Sequence, residues 1–337
     1  MINLAFVGLG WWGNELAAAA SALSARIKIV GCYSLSQTEM KAFETQYGAI
    51  PYPSYGDLLK EPSTDGVVLS TPHSQHANQV IQAANAGKQV FVEKPFTLTE
   101  ESGRAAAAAC AEAGRVLAVG QNRRFAAATQ EISRMLAAGE FGTPLHCEAN
   151  FSNPRPLTYS PDGWRAKRTE SPGGGIAGMG VHMIDAMTYF LGPVTRVQAQ
   201  AKRLAVPVDL DDTTSALFEF ESGATGYLGT FTACPQTVFY NLYGTGANAF
   251  AQPDANRLTV HRANEEPAEV ALTPVDTLLA ELEEFADACA GGANFRVRPA
   301  EAIHTVAVMQ AMVASAESGA AITLDNAAPA ENSAHAS

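Results

Sequence analysis

Apolar positions along the first third of the chain fall into two alternating rhythms. Short runs that are apolar on both faces predict buried parallel strands: Ile2 to Val7, Lys28 to Tyr33, Asp65 to Ser70, Gly87 to Val92 and Val116 to Val119. Ala- and Leu-rich stretches between them predict helices over Asn14 to Leu23, Gln37 to Tyr47, Ala77 to Ala86 and Glu101 to Ala113, with a shorter one around Tyr55 to Leu59. Strand and helix in strict alternation make a doubly wound α/β sheet.

From Asn122 the pattern changes. A helix is expected from Arg123 to about Ala138, ended by Gly139. Alternating runs then predict strands at Leu145 to Phe151, Val194 to Leu204, Thr213 to Phe220, Ala224 to Ala233, Val238 to Tyr243, Arg257 to His261 and Glu269 to Leu272. So many strands with short turns predict a large, open, mostly antiparallel sheet, with one face left to meet another subunit. Apolar spacing at Leu278, Leu279, Leu282, Phe285 and Ala286 predicts one helix, and Ala300 to about Ser315 another. The expected architecture is therefore α/β: an N-terminal dinucleotide-binding (Rossmann) domain over 1–121 and a C-terminal α+β domain over 122–325. The small, polar stretch 326–337 is expected to be a disordered tail.

Composition narrows the partners. At 337 residues two domains are the default. A net charge of −12 argues against nucleic acid or an anionic membrane surface, which reward clustered Lys and Arg. No apolar run is long enough to span a bilayer, and no basic region precedes the first apolar stretch as in a signal peptide. The five cysteines are scattered without metal spacing, so reduced thiols, a cytoplasmic setting and no metal are expected.

The first strand runs into Gly8-x-Gly10-x-x-Gly13 and then a helix, the arrangement that binds a dinucleotide. Gly8 permits the turn, Gly10 lets the backbone approach a pyrophosphate, and Gly13 lets helix and strand pack closely. Roughly twenty residues on, a carboxylate normally holds the adenosine ribose. Here Ser34 stands in that place, so NAD and NADP both remain open, and Ser34 reads equally as the start of a turn. Strand ends carry the other candidates for cofactor contact: Thr71, Pro72, His76, Glu93, Lys94, Gln121 and Arg124. His73 and His76 read equally as residues that orient the following helix. Trp11 and Trp12, inside the glycine turn, either stack on a flat ring or pack on the second domain.

Three motifs in order, Gly8-x-Gly10-x-x-Gly13, Glu93-Lys94-Pro95 and Gly173-Gly174-Gly175 leading to Gly180-Val181-His182-Met183-Ile184-Asp185, give a chain that resembles the glucose–fructose oxidoreductase / inositol dehydrogenase (Gfo/Idh/MocA) family from Ile2 to about Leu324. The resemblance implies an NAD(P)-dependent dehydrogenase acting on a secondary alcohol of a sugar, inositol or related ring, assembled as a homodimer or homotetramer through its C-terminal sheet. Oxidising such an alcohol removes a hydride and a proton, and His is a natural base near neutrality. A Lys ammonium beside the alcohol oxygen stabilises the developing alkoxide. By resemblance His182 and Lys94 take these roles. Asp185, one helical turn beyond His182, is a candidate to orient the imidazole or bind a substrate hydroxyl.

One departure stands out. Many family members carry Asp four residues before the His, where this chain has Gly178. The loop before the triple glycine is basic, with Arg155, Arg165, Lys167 and Arg168 interleaved with Tyr159 and Trp164. Arg155, Trp164 and Arg165 are candidates for substrate binding, and a carboxylated sugar or dihydrodiol would explain both features. These basic residues read equally as holding cofactor phosphates, bracing the domain seam or facing solvent. Two other functions fit the fold: a redox-neutral NAD-dependent glycosidase, and a nucleotide-sensing regulator without chemistry.

Overall fold

A computed structural model describes residues 1–253 and 256–325; the expected tail at 326–337 lies outside the described residues. The first part builds β1 (Ile2–Val7), α1 (Trp11–Ala22), β2 (Ile27–Tyr33), α2 (Gln37–Tyr47), β3 (Ile50–Pro51), α3 (Tyr55–Leu59), β4 (Gly66–Leu69), α4 (His76–Asn85), β5 (Gln89–Glu93), α5 (Glu100–Glu112) and β6 (Leu117–Gly120). Its six strands are all parallel, in the order β3-β2-β1-β4-β5-β6. β4 and β6 are buried at every residue, as strands covered on both faces must be. The order reverses at β1, which pairs with both β2 and β4, and this opens a crevice at the carboxyl edge. Gly8, Ser34, Thr71, Lys94 and Gln121 each follow a strand there.

The second part builds α6 (Ala127–Ala137), β7 (Pro144–Ser152), α7 (Val181–Leu191), β8 (Val194–Lys202), β9 (Thr213–Phe220), β10 (Thr225–Phe231), β11 (Thr237–Gly244), β12 (Ala247–Ala251), β13 (Leu258–Arg262), β14 (Ala268–Val270), α8 (Thr277–Cys289), α9 (Pro299–Ser318) and β15 (Ile322–Thr323). Its nine strands run β14-β13-β12-β11-β7-β10-β9-β8-β15, antiparallel except for the β7–β10 pair. α6, α7 and α9 pack on one face, where Ala149, Leu228, Val238, Tyr240 and Leu242 are buried. α8 and α9 also reach back onto the first part, α8 onto α1 and α9 onto α5 and β6, while Phe285 of α8 and Phe295 of the connection after it meet Phe91 of β5 at ring distances of 5.7 and 6.4 Å. The two sheets thus share one continuous hydrophobic core.

Three details depart from the sequence pattern. The expected helix from Arg123 is broken: residues Asn122–Phe125 form a short turn, Ala126 is extended, and α6 begins after it. The break lets consecutive arginines face different ways, Arg123 over the Phe151 ring and Arg124 into the core. α1 begins at Trp11 rather than Asn14, because Gly10 takes an extended N-cap conformation directly before it. β12, Ala-Asn-Ala-Phe-Ala, has little intrinsic strand preference and is held by ladder pairing to β11 and β13 on both sides. Among the described residues no helix is long and apolar enough to cross a membrane.

Candidate active site and nucleotide cleft

The glycine turn is shaped by close approach. Gly8 has φ +87°, and a Cβ on Gly13 would lie 2.1 Å from the Gly8 carbonyl oxygen. A Cβ on Gly10 would meet nothing within 4 Å, so the backbone here is open to a ligand. α1 has no side-chain cap and no acidic residue in its first turn, which leaves its N–H groups and positive dipole end for an anion. These features fit a dinucleotide pyrophosphate.

At the end of β2, the Ser34 hydroxyl donates to the Glu39 carboxylate at 2.5 Å. Glu39 sits in the first turn of α2, whose N-cap Ser36 accepts from the Glu39 N–H. The acid that the pattern lacked at 34 therefore arrives from five residues later. Sequence reasoning missed it because a strand-end rule looks along the strand, whereas Glu39 comes back from the following helix.

The end of β5 carries Glu93 and Lys94, with a cis peptide between Lys94 and Pro95. Glu93 is 4 % exposed, and its pKa is pushed up to about 7 by burial, opposed by the neighbouring Lys94 charge. Lys94 Nζ donates to the Gly178 carbonyl at 2.7 Å. Burial lowers the Lys94 pKa to about 8; Glu93 opposes the shift, and Arg165 and Arg123 add to it.

Gly178 belongs to a widened π turn, Ile176–Gly180, that runs directly into α7 and His182. The turn before it is fixed by glycine: Gly174 has φ +63°, and a Cβ there would lie 1.8 Å from the Asp211 carbonyl oxygen. His182 is buried, and its Nδ1 has no hydrogen-bond partner. Its pKa lies well below the usual histidine range because of burial first, then the charges of Lys94 and Arg123. The fold thus brings Lys94 and His182, eighty-eight residues apart in sequence, into one electrostatic unit.

Several expected contacts lie elsewhere. Asp185 does not meet the imidazole: both its oxygens accept from Arg124, at 2.7 and 2.8 Å, in a pair that is almost wholly buried. Arg124 likewise does not face the cleft, because its third nitrogen donates to Glu301 at 2.6 Å. The reason is pairing rather than helix phase: the buried Arg124 guanidinium, held also by Glu301 of α9, takes both Asp185 oxygens. His76 is fully buried, its two ring nitrogens facing the Pro95 and Thr71 carbonyls at 2.9 and 3.1 Å. It braces the loops flanking the cleft and has no nitrogen left for a cofactor. The Thr71 hydroxyl donates to Gln79 Oε1, and Pro72 leads into the turn His73–Gln75. Gln121 is buried with its Oε1 unpartnered.

The basic loop closes over the cleft from the second part. His73 packs edge-on against Trp164 at 4.9 Å, and its Nδ1 faces the Glu170 carbonyl at 2.6 Å. The Glu170 carboxylate accepts from the Ser74 N–H and hydroxyl. Arg155 lies 4.6 Å over the Trp11 ring, which is otherwise exposed; Trp12 is turned inward, toward Glu93. Arg165 lies 4.1 Å over Trp164. Arg168 is drawn away to Asp209 and Asp211.

Residues 2–121 match the model described as "Oxidoreductase family, NAD-binding Rossmann fold", and 129–249 match "GFO/IDH/MocA C-terminal domain". The chain belongs to the Gfo/Idh/MocA oxidoreductase family. As a Gfo/Idh/MocA member it is an NAD(P)-dependent oxidoreductase, with NAD or NADP as cofactor. Curated relatives within the family include D-xylose 1-dehydrogenase (NADP(+)) 2 of Haloferax volcanii, 30 % identical over 283 residues, covering 81 % of this chain and 85 % of that one. The 1,5-anhydro-D-fructose reductase of Ensifer adhaerens is 26 % identical over 310 residues, covering 88 % and 91 %. Among solved structures, an oxidoreductase from Desulfitobacterium hafniense superposes with a TM-score of 0.90 at 29 % identity, over 96 % of this chain and 97 % of that one.

Proposed function

We propose that this oxidoreductase interconverts a secondary alcohol and its ketone or lactone on a small cyclic polyhydroxy compound. The observation that supports the reading is the bond of Lys94 Nζ, at the carboxyl edge of the parallel sheet, to the Gly178 carbonyl in the turn that leads into α7 and His182, with an open glycine turn in the same crevice. The named activities of the xylose dehydrogenase and anhydrofructose reductase relatives support the substrate class. The nicotinamide, when bound, supplies the site that takes or gives a hydride. Lys94 Nζ donates a hydrogen bond to the alcohol oxygen and stabilises its developing charge, while the neutral His182 imidazole accepts the proton. Gln121, with a buried oxygen still to be paired, and Glu93, beneath Lys94, complete the floor. Absorbance at 340 nm with a panel of aldoses, inositols and sugar acids, run with each cofactor, tests the reading. No change with any of them refutes it.

Glu39 gives the cofactor choice a physical basis. A carboxylate hydrogen-bonded to Ser34 suits ribose hydroxyls and repels a 2′-phosphate. Glu39→Gln is expected to tighten NADP binding about tenfold, worth about 1.4 kcal/mol, while NAD binding changes little. Fluorescence titration reads both constants, and an unchanged NADP affinity would remove Glu39 from the choice.

The uncovered face of the nine-stranded sheet is our proposed contact with a second copy. Leu217 is 58 % exposed there, near half-buried Tyr227, Phe231, Phe239 and Tyr243. Light scattering showing a monomer at micromolar concentration would overturn it.

A further inference from the structure

The cleft holds more positive charge than a neutral polyol calls for. Arg123 lies 4.4 Å over the Phe151 ring, whose centroid is 5.9 Å from that of His182. Arg165 lies over Trp164, the same ring that meets His73. Lys94 is coupled to both groups: Arg165 and Arg123 both act on Lys94, Lys94 and Arg123 on His182, and Lys94 and Arg165 on His73. The acid acting on Lys94 is Glu93, which lies buried below it.

Among the described residues no carboxylate pairs with Arg165. Its neighbours are Trp164, the Tyr159 hydroxyl and a second cation, Arg155. Glu170 of the loop is taken by Ser74, and Asp209 and Asp211, from the connection between β8 and β9, are taken by Arg168. Beside Lys94, a Cβ on Gly178 would meet nothing within 4 Å, so there is room where Lys94 touches the backbone. A planar, rigid guanidinium stacked on an aromatic ring and short of an acid is a carboxylate receptor.

We propose that the substrate carries a carboxylate, as a uronate or a related cyclic sugar acid does, and that Arg165 holds it at the mouth of the cleft over the space left by Gly178. The inference rests on the dehydrogenase reading above and names the substrate class for the same site. The carboxylate stays intact through the reaction; it fixes which ring carbon faces Lys94 and His182.

The test uses the full-length enzyme with D-glucuronate, D-galacturonate, their methyl esters and the parent hexoses, followed by calorimetric binding and by absorbance at 340 nm. Expected is a preference of about a hundredfold in kcat/KM for at least one uronate over its methyl ester, the scale of a charge-assisted bidentate contact. Arg165→Met is expected to weaken uronate binding by a similar factor and to collapse the preference for acid over ester, with NAD affinity retained. Equal use of acid, ester and hexose overturns the carboxylate proposal and leaves the dehydrogenase reading intact. Loss of NAD affinity in Arg165→Met overturns it too, by moving Arg165 to the cofactor. Silence with every compound removes both readings together.

Discussion

Lys94→Ala lowers kcat by roughly a thousandfold, the usual scale for removing a positioned donor at a developing oxyanion. NAD binding holds within about threefold, since the dinucleotide is expected to rest chiefly on the glycine turn rather than on this side chain. Stopped-flow turnover with fluorescence titration of the cofactor separates the two effects. The pH dependence carries the sign of the mechanism. With a Lys94 pKa near 8, kcat/KM for alcohol oxidation falls above about pH 8 as the ammonium is lost. The acid limb lies below the ordinary histidine range, because burial and nearby cations keep His182 neutral. In Lys94→Ala that acid limb moves upward, one of the two cations acting on His182 having gone. A rate that climbs through pH 8 in the unmodified enzyme would make neutral Lys94 the base and reverse the two roles.

Arg124→Met destabilises the protein by about 3–5 kcal/mol, because it strands the Asp185 carboxylate in the core without its partner. The same pair pins α7 one turn beyond His182, so folding and site geometry depend on one interaction. Denaturant unfolding measures the loss. The double variant Arg124→Met/Asp185→Leu recovers much of it, since removing both charges also removes the uncompensated one. A double variant no more stable than Arg124→Met would mean that the loss comes from packing or from the Arg124–Glu301 contact.

Much of this fold was legible in the chain. The five longer parallel strands and the helices between them follow from apolar runs too short for helices and glycine or proline stops, and each recurs within a few residues of its expected bounds. The Gly8–Gly13 turn follows from the same pattern, because a tight turn between a strand and a helix requires glycine where the backbone is crowded. The residues 247–251 did not announce themselves as a strand, since alanine and asparagine take their conformation from the ladders on either side.

Side-chain direction is where the sequence ran out. It placed Lys94 at a strand end and His182 in the first turn of a helix, which depends only on local periodicity. It could not say that Asp185 and Arg124 would find each other rather than the cleft, that His76 would brace two carbonyls, or that Glu39 would reach back to Ser34. Those outcomes depend on which face each helix presents once the two sheets share a core, where burial makes an unpaired charge or ring nitrogen costly and favours the nearest partner. The chain by itself determined which elements form and which chemistry they carry; the packing of α7 against α6 and α9, and of α9 and the basic loop against the first part, decided which of those groups meet.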